Sequence, residues 1–442
     1  MIVLIGCSEQ KKDNSRNETL TEAPDQKAHL QPGLLYSSLS GLQGNQQYAL
    51  YLPSTWKESV QMPAFIFFDP HAEGSYPLSL YKGLAEHFGV ILMGSNNSEN
   101  GLTFEQTDLI AGHLINEAIL RFHADPQTIS LAGFSGGAKA ALAAASQHRE
   151  IASVLYCGAA FPPGSIRTLP PSLGFAGLQD MNYTEVVTFY SSLDSIPVVH
   201  ALEEWNGKHS WPDSSTFLEA FIWSQIIHPV DSSTKQKLYR QYLSAKEKKL
   251  NSRDVLVREK TQKQAIVFLN GSEQKNKYVQ ALEKLAVSPE LRSKKNSELQ
   301  ILTQENQAKE QYIRAFDSAP LSWWESEVKR LRSHTGDDSN QRLLGYISLA
   351  AYSFSNNALK QNNLPGAERA LAIYEIADPE NAEQPFLAAV YYAKQNDPDK
   401  AIASLKKSIQ KGLKKRSKIE TEPAFSSLLS RSDFNELMDT LQ

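Results

Sequence analysis

The sequence predicts a mostly parallel α/β sheet with helices on both faces over residues 34–232, followed by an all-helical region. Three observations carry that expectation. Short apolar runs alternate with helical stretches from about residue 35 to 230, the pattern of a sheet covered by helices. Several of these runs are continuously apolar, as buried parallel strands are. Beyond about residue 232 strand-like runs become rare, and Lys, Glu, Gln and Leu dominate.

The expected strands are residues 48–52, 64–68, 89–93, 128–132, 153–156, 173–176 and 196–200, with helices over 104–122, 137–147 and 183–193 among them. Residues 234–285 and 290–316 read as helices with a charged, solvated face. Further on, Gln361-Asn362-Asn363-Leu364-Pro365-Gly366-Ala367 is echoed by Gln395-Asn396-Asp397-Pro398-Asp399-Lys400-Ala401 at an offset of 34 residues. That is the tetratricopeptide period. Ala367, Ala401, Ser355 and Ala389 fall at the small positions that let paired helices approach, Pro379 at the terminal proline, and Tyr392 at the tyrosine. The pattern resembles two degenerate tetratricopeptide repeats, with a generic helical bundle as the alternative. The expected division is 1–33 signal remnant and tether, 34–232 sheet domain, 233–344 helical connection, and 345–442 repeat-like helices.

A chain of 442 residues calls for two or three domains. Its 41% apolar and 21% charged residues give an ordinary globular balance, and a net charge of −4 leaves no basic footprint for nucleic acid. No run of about 18 apolar residues predicts a membrane span. Two cysteines support neither a disulfide framework nor a zinc site. Cys157 reads as a packed strand residue. Cys7 ends Leu4-Ile5-Gly6-Cys7, which resembles a bacterial lipobox, and the polar run after it suits a tether. The apolar stretch before it is shorter than the usual signal. The expectation is lipidation at Cys7 and a bacterial cell-envelope location, with a cytoplasmic location as the alternative.

The chemistry centres on Gly133-Phe134-Ser135-Gly136-Gly137, which follows an apolar strand and precedes an alanine-rich helix. That is the setting of a nucleophile elbow, in which small neighbours allow a strained turn to expose the serine. The N–H of Gly136 points where an oxyanion forms, and the helix N-terminus adds partial positive charge. A serine hydroxyl needs a base, and in such a sheet the acid and then the histidine follow the serine. Of the later histidines, His148 leaves no room for an acid before it, His200 lies in an expected strand, and His228 and His334 lie too late. His209, in Trp205-Asn206-Gly207-Lys208-His209-Ser210-Trp211-Pro212, is the candidate base. Asp180, after the 173–176 strand, is the candidate acid, with Asp194, Glu203 and Glu204 as rivals. The second oxyanion donor is expected in Asp69-Pro70-His71-Ala72-Glu73-Gly74. Pro70 has no N–H, which leaves the amide of His71 or Ala72.

These residues resemble the α/β-hydrolase superfamily, most closely secreted bacterial esterases related to polyhydroxybutyrate depolymerases and feruloyl esterases. The resemblance covers about 40–230 and rests on Gly133–Gly137, Asp180 and 205–212. It implies ester hydrolysis through an acyl-enzyme, with Ser135 as nucleophile, Asp180 as acid and His209 as base, and no metal or organic cofactor. The implied substrate is a small-molecule or polymer-derived ester. The Asp69–Gly74 loop departs from the family's His-Gly-Gly kind. Phe161-Pro162-Pro163-Gly164 stands where many lipases carry a lid, so an open cleft is expected. The other readings are a peptidase on the same triad, and a binding protein whose repeats recruit a partner. Contact with a membrane is expected only through the lipid anchor.

Overall fold

The computed structural model describes residues 30–228, 231–334 and 336–441. Cys7 and the tether lie outside the described residues. Eight strands form one sheet: β1 (Leu35–Ser40), β2 (Gln47–Tyr51), β3 (Met62–Phe68), β4 (Ile91–Ser95), β5 (Ala124–Phe134), β6 (Ser153–Cys157), β7 (Ser172–Gly177) and β8 (His200–Trp205). Their order is β1-β2-β4-β3-β5-β6-β7-β8. β2 runs antiparallel to β1 and β4, and every other pair is parallel. This is the α/β-hydrolase fold.

Alternation along the central strands explains the layers. Ala64, Ile66 and Phe68 of β3 pack into one core, against α2 (Phe104–Phe122), α3 (Gly136–Gln147) and α4 (Tyr183–Ser192). Phe65 and Phe67 face the other, built with α1 (Ser75–Phe88) and α5 (Ser214–Ile226). Successive strand side chains point to opposite faces, so one apolar run serves both layers. α2 begins at Phe104 because Thr103 and Gln106 form a reciprocal capping box.

Helices follow to the C-terminus: α6 (Ser232–Leu250), α7 (Val255–Phe268), α8 (Lys275–Ala286), α9 (Pro289–Ser318), α10 (Leu321–Ser333), α11 (Asp338–Lys360), α12 (Leu364–Ala377), α13 (Glu383–Lys394), α14 (Pro398–Gln410), α15 (Arg416–Glu420) and α16 (Ser432–Met438). The core of the α1 and α5 face does not stop near residue 232. It takes in Tyr239 and Tyr242 of α6 and Phe268 of α7. A separate core begins at Tyr312 in α9 and runs to Leu441. Within it, α11 with α12 and α13 with α14 form two successive hairpins. Their turns repeat in detail: Asn362 and Asn396 both have positive φ (56° and 58°), and Asn363 and Asp397 cap the helices that follow.

Two expectations need correction. The last strand is β8, beginning where the expected 196–200 strand ends. Pro197 brings no N–H to a ladder. The true strand carries Glu203 and Glu204, whose charges disguised it. β1 was not expected at all; it is a serine-rich edge strand, largely exposed. Among the described residues no helix is long and apolar enough to cross a membrane.

Candidate active site

Ser135 sits between β5 and α3 at φ 52°, ψ −122°, a strained backbone held by its N–H to Cys157 O (2.9 Å). The turn tolerates no side chains around it. A Cβ on Gly133 would lie 2.0 Å from Gly137 O, and one on Gly137 would lie 1.9 Å from Phe68 O. β5, α3 and β3 therefore meet backbone to backbone at the serine.

The structure brings the three distant side chains together. His209, on the loop after β8, places Nε2 2.9 Å from Ser135 Oγ. Its Nδ1 lies 2.9 and 3.0 Å from the two carboxylate oxygens of Asp180, on the loop after β7. An ionised carboxylate only accepts, so Nδ1 carries the proton and Nε2 is left to accept from the serine. Asp180 is 2% exposed and His209 21%. Asp180 Oδ1 also accepts from Asn182 N at 2.8 Å, which fixes the carboxylate from behind. Gly158, at φ 65°, leaves room for the pair: a Cβ there would stand 2.8 Å from Asp180 Oδ2.

The rival residues are engaged elsewhere. Asp194 meets His200 at 3.2 Å. Glu203 is buried against Lys246 and Lys249, and Glu204 holds Tyr183 and Lys260. His148 pairs with Asp108 and Glu150, and His334 with Ser333. Burial pushes the Cys157 thiol well above its ordinary value, so it is no nucleophile at neutral pH.

The expectation of a free amide at His71 or Ala72 is not met. His71 N donates to Asp69 Oδ1 at 2.9 Å, and Ala72 N to Ser98 O at 3.0 Å. The cause is Asp69, which turns the loop back on itself. Sequence reasoning missed Asp69 and its partner. Its second oxygen accepts from Trp211 Nε1 at 2.9 Å, two residues beyond His209. Burial would raise this carboxyl's pKa, but hydrogen bonds from His71 and Trp211 outweigh it and hold it below the ordinary value. One buried carboxylate thus ties the loop after β3 to the histidine loop. Trp211 and His209 both pack on Phe134, with ring centroids 5.7 and 4.6 Å away. A strand-end Asp and a loop Trp are visible in the sequence, but nothing there pairs them across 142 residues. In front of Gly136 lies Asn100: a Cβ on that glycine would fall 1.8 Å from Asn100 Oδ1. β6 and β7 are joined without a helix, and residues 162–165 of that connection are exposed.

No family model matches the sequence, and no curated protein does. Among solved structures, the chain is similar to an esterase from Pyrobaculum calidifontis, with 14% identity, 46% of this chain and 85% of that chain covered, and a TM-score of 0.36. It is similar to an S-formylglutathione hydrolase from Agrobacterium tumefaciens, with 15% identity, 43% and 93% covered, and a TM-score of 0.36. The corresponding values for an S-formylglutathione hydrolase from Staphylococcus aureus are 14%, 45%, 99% and 0.36. Likeness at this level transfers neither activity nor residue roles.

Proposed function

We propose that the protein is a serine hydrolase that cleaves carboxylic esters through an acyl-enzyme. The observation that carries this reading is the unbroken hydrogen-bonded chain from Ser135 Oγ through His209 to Asp180, at a strained elbow. Such strain is retained where the surroundings over-determine it, and exposing a nucleophile is a use for it.

In this mechanism Ser135 Oγ attacks the ester carbonyl carbon while its proton passes to His209 Nε2. The carbonyl oxygen becomes the oxyanion, beside the N–H of Gly136 and the positive end of α3. Asp180 stabilises the imidazolium without taking its proton. Collapse of the tetrahedral intermediate breaks the C–O bond, and Nε2 protonates the departing alcohol. Water, deprotonated by the same nitrogen, then releases the acid and restores Ser135. With the amides of His71 and Ala72 engaged, the second oxyanion donor in this reading is Asn100. Rotation of its exposed carboxamide about its last bond exchanges Oδ1 for the donor Nδ2 in front of Gly136. Loss of one oxyanion donor typically costs about 10²–10³-fold in kcat.

The decisive experiment is labelling with a fluorophosphonate and hydrolysis of nitrophenyl esters of increasing acyl length, alongside peptide anilides. Labelling and ester turnover, both lost in Ser135→Ala, are expected. Faster turnover of the anilides would make it a peptidase. A folded protein inert to every probe would make the fold a binding platform.

A further inference from the structure

We propose that the C-terminal helices are a working part of this site: Arg342, Lys309 and Glu305 are positioning residues that hold the loop carrying Asp180. The inference deepens the hydrolase reading and rests on it for the role of Asp180.

The acid loop has two sides. Toward the sheet, Leu178 N and Gln179 N donate to Trp205 O and Gly207 O, each at 2.9 Å, which ties it to the histidine loop. Its opposite side meets α9 and α11. Arg342 Nη1 donates to Leu178 O at 2.7 Å, and Lys309 Nζ to Met181 O at 2.8 Å. These two carbonyls bracket Asp180. Both cations are set by one carboxylate, since Glu305 lies 2.7 Å from Arg342 Nε and 2.8 Å from Lys309 Nζ. Glu305 also accepts from Thr184 Oγ1 at 3.1 Å. The Arg342 guanidinium lies 4.7 Å from the centroid of the Tyr183 ring, and Gln179 donates to Asp338 at 3.1 Å. Glu305 is 1% exposed and Arg342 5%, so water does not compete for these contacts.

Generic packing between domains does not need this chemistry. A buried ion pair is a weak source of stability, and its best-attested use is to fix register. Here the register being fixed is that of a carboxylate which must stay within hydrogen-bond reach of Nδ1. A misplacement of about 1 Å in such a group costs on the order of 10²-fold in rate. Lys415 also approaches Glu73 of the loop after β3 at 3.8 Å, a second contact between the helical region and a loop near the serine.

The test compares the full-length wild-type chain with Arg342→Lys and with the double variant Glu305→Met plus Arg342→Met, which removes the more buried pair together and leaves Lys309 its bond to Met181 O. Two readouts are needed: kcat and KM on p-nitrophenyl acetate, and the low-field proton resonance of the His209–Asp180 hydrogen bond. For the double variant, kcat should fall about 10–100-fold with KM within about threefold. The low-field resonance should broaden or vanish, and circular dichroism should stay unchanged. Arg342→Lys should fall between the two. A double variant with wild-type kcat and an unaltered resonance would overturn the proposal. If the wild-type protein turns over no ester, the hydrolase reading fails, while the resonance still reports whether the helices hold the acid loop.

Discussion

The Asp69–Trp211 contact offers a test of how the histidine loop is held. Trp211→Phe keeps a ring against Phe134, Phe67 and Tyr81 but removes the Nε1–H that reaches Asp69 Oδ2. The carboxylate is 3% exposed, so water does not replace the lost donor. A hydrogen bond to a charged group contributes about 1.5–3 kcal/mol, and the smaller ring forfeits about 1 kcal/mol more in buried area. The expected cost of Trp211→Phe is therefore about 2.5–4 kcal/mol. The control is Asp69→Asn. Its amide oxygen can still accept from His71 N, but its NH₂ then faces the indole N–H, donor against donor. In that background Trp211→Phe should cost at most about 1 kcal/mol, since the bond it removes is already gone. Equilibrium urea unfolding of all four proteins, followed by far-ultraviolet circular dichroism, closes the cycle. An interaction energy of at least about 1.5 kcal/mol is expected, against about 0.3–0.5 kcal/mol for independent sites. Equal costs in the two backgrounds would show that Trp211 acts by packing alone.

Three further outcomes are expected. Gly158→Ala presses a methyl against Asp180 Oδ2 and Phe134 at φ 65°, and should lower kcat on the order of 10²-fold. Gly164→Ala, also at positive φ but in open space, should leave kcat unchanged; equal effects would show that strain, not crowding of the acid, is responsible. Glu219 is buried with Glu203, Lys246, Gln264 and Tyr242, near Lys249, and burial and the Glu203 charge raise its pKa to about 8. Folding therefore takes up a proton there: the stabilisation is complete below the unfolded carboxyl value of about 4.3 and is lost as pH rises through about 8. Glu219→Gln should flatten the fall in Tm between pH 5 and 9, and an unchanged slope would refute the assignment. Expression of the full chain in bacteria with an alkynyl fatty acid should label it at Cys7, and a Cys7→Ser variant that labels equally would end the lipoprotein reading.

What the sequence revealed follows from how local each feature is. The elbow was legible because its glycines are demanded within five residues, by a turn whose backbone atoms nearly touch. α2 was legible at both ends because its cap and apolar spacing are local. The hairpin turns at Asn362 and Asn396 were legible because the same left-handed position recurs with the same residue. Asp180 and His209 needed only chain order within the sheet. β8 was misplaced because two of its six residues are glutamates, and their charges are offset by Lys246, Lys249 and Lys260 from helices that no local pattern joins to it. The second oxyanion donor was misjudged for the same reason. Pro70 could be excluded from its own chemistry, but the engagement of the His71 amide depends on where the Asp69 side chain folds back.

These long-range features share one physical form. Glu203 and Glu219 with Lys246, Glu204 and Glu298 with Lys260, and Glu305 with Lys309 and Arg342 are ionic clusters that tie helices after residue 231 to the sheet domain. Apolar surfaces alone would join the two regions with little preference between neighbouring registers, because burial is not directional. Charges withdrawn from water are different: a shift of one helical turn strands a cation or a carboxylate, which costs about 3–5 kcal/mol where the pair is buried, as at Glu203–Lys246 and Glu305–Arg342. The helices are thereby confined to one arrangement, and the Glu305 cluster lies where that arrangement reaches Asp180. Neutralising the Glu204–Lys260–Glu298 cluster, which touches Tyr183 through Glu204, should disturb the acid loop less than neutralising the Glu305 cluster, which bonds to the backbone on both sides of Asp180.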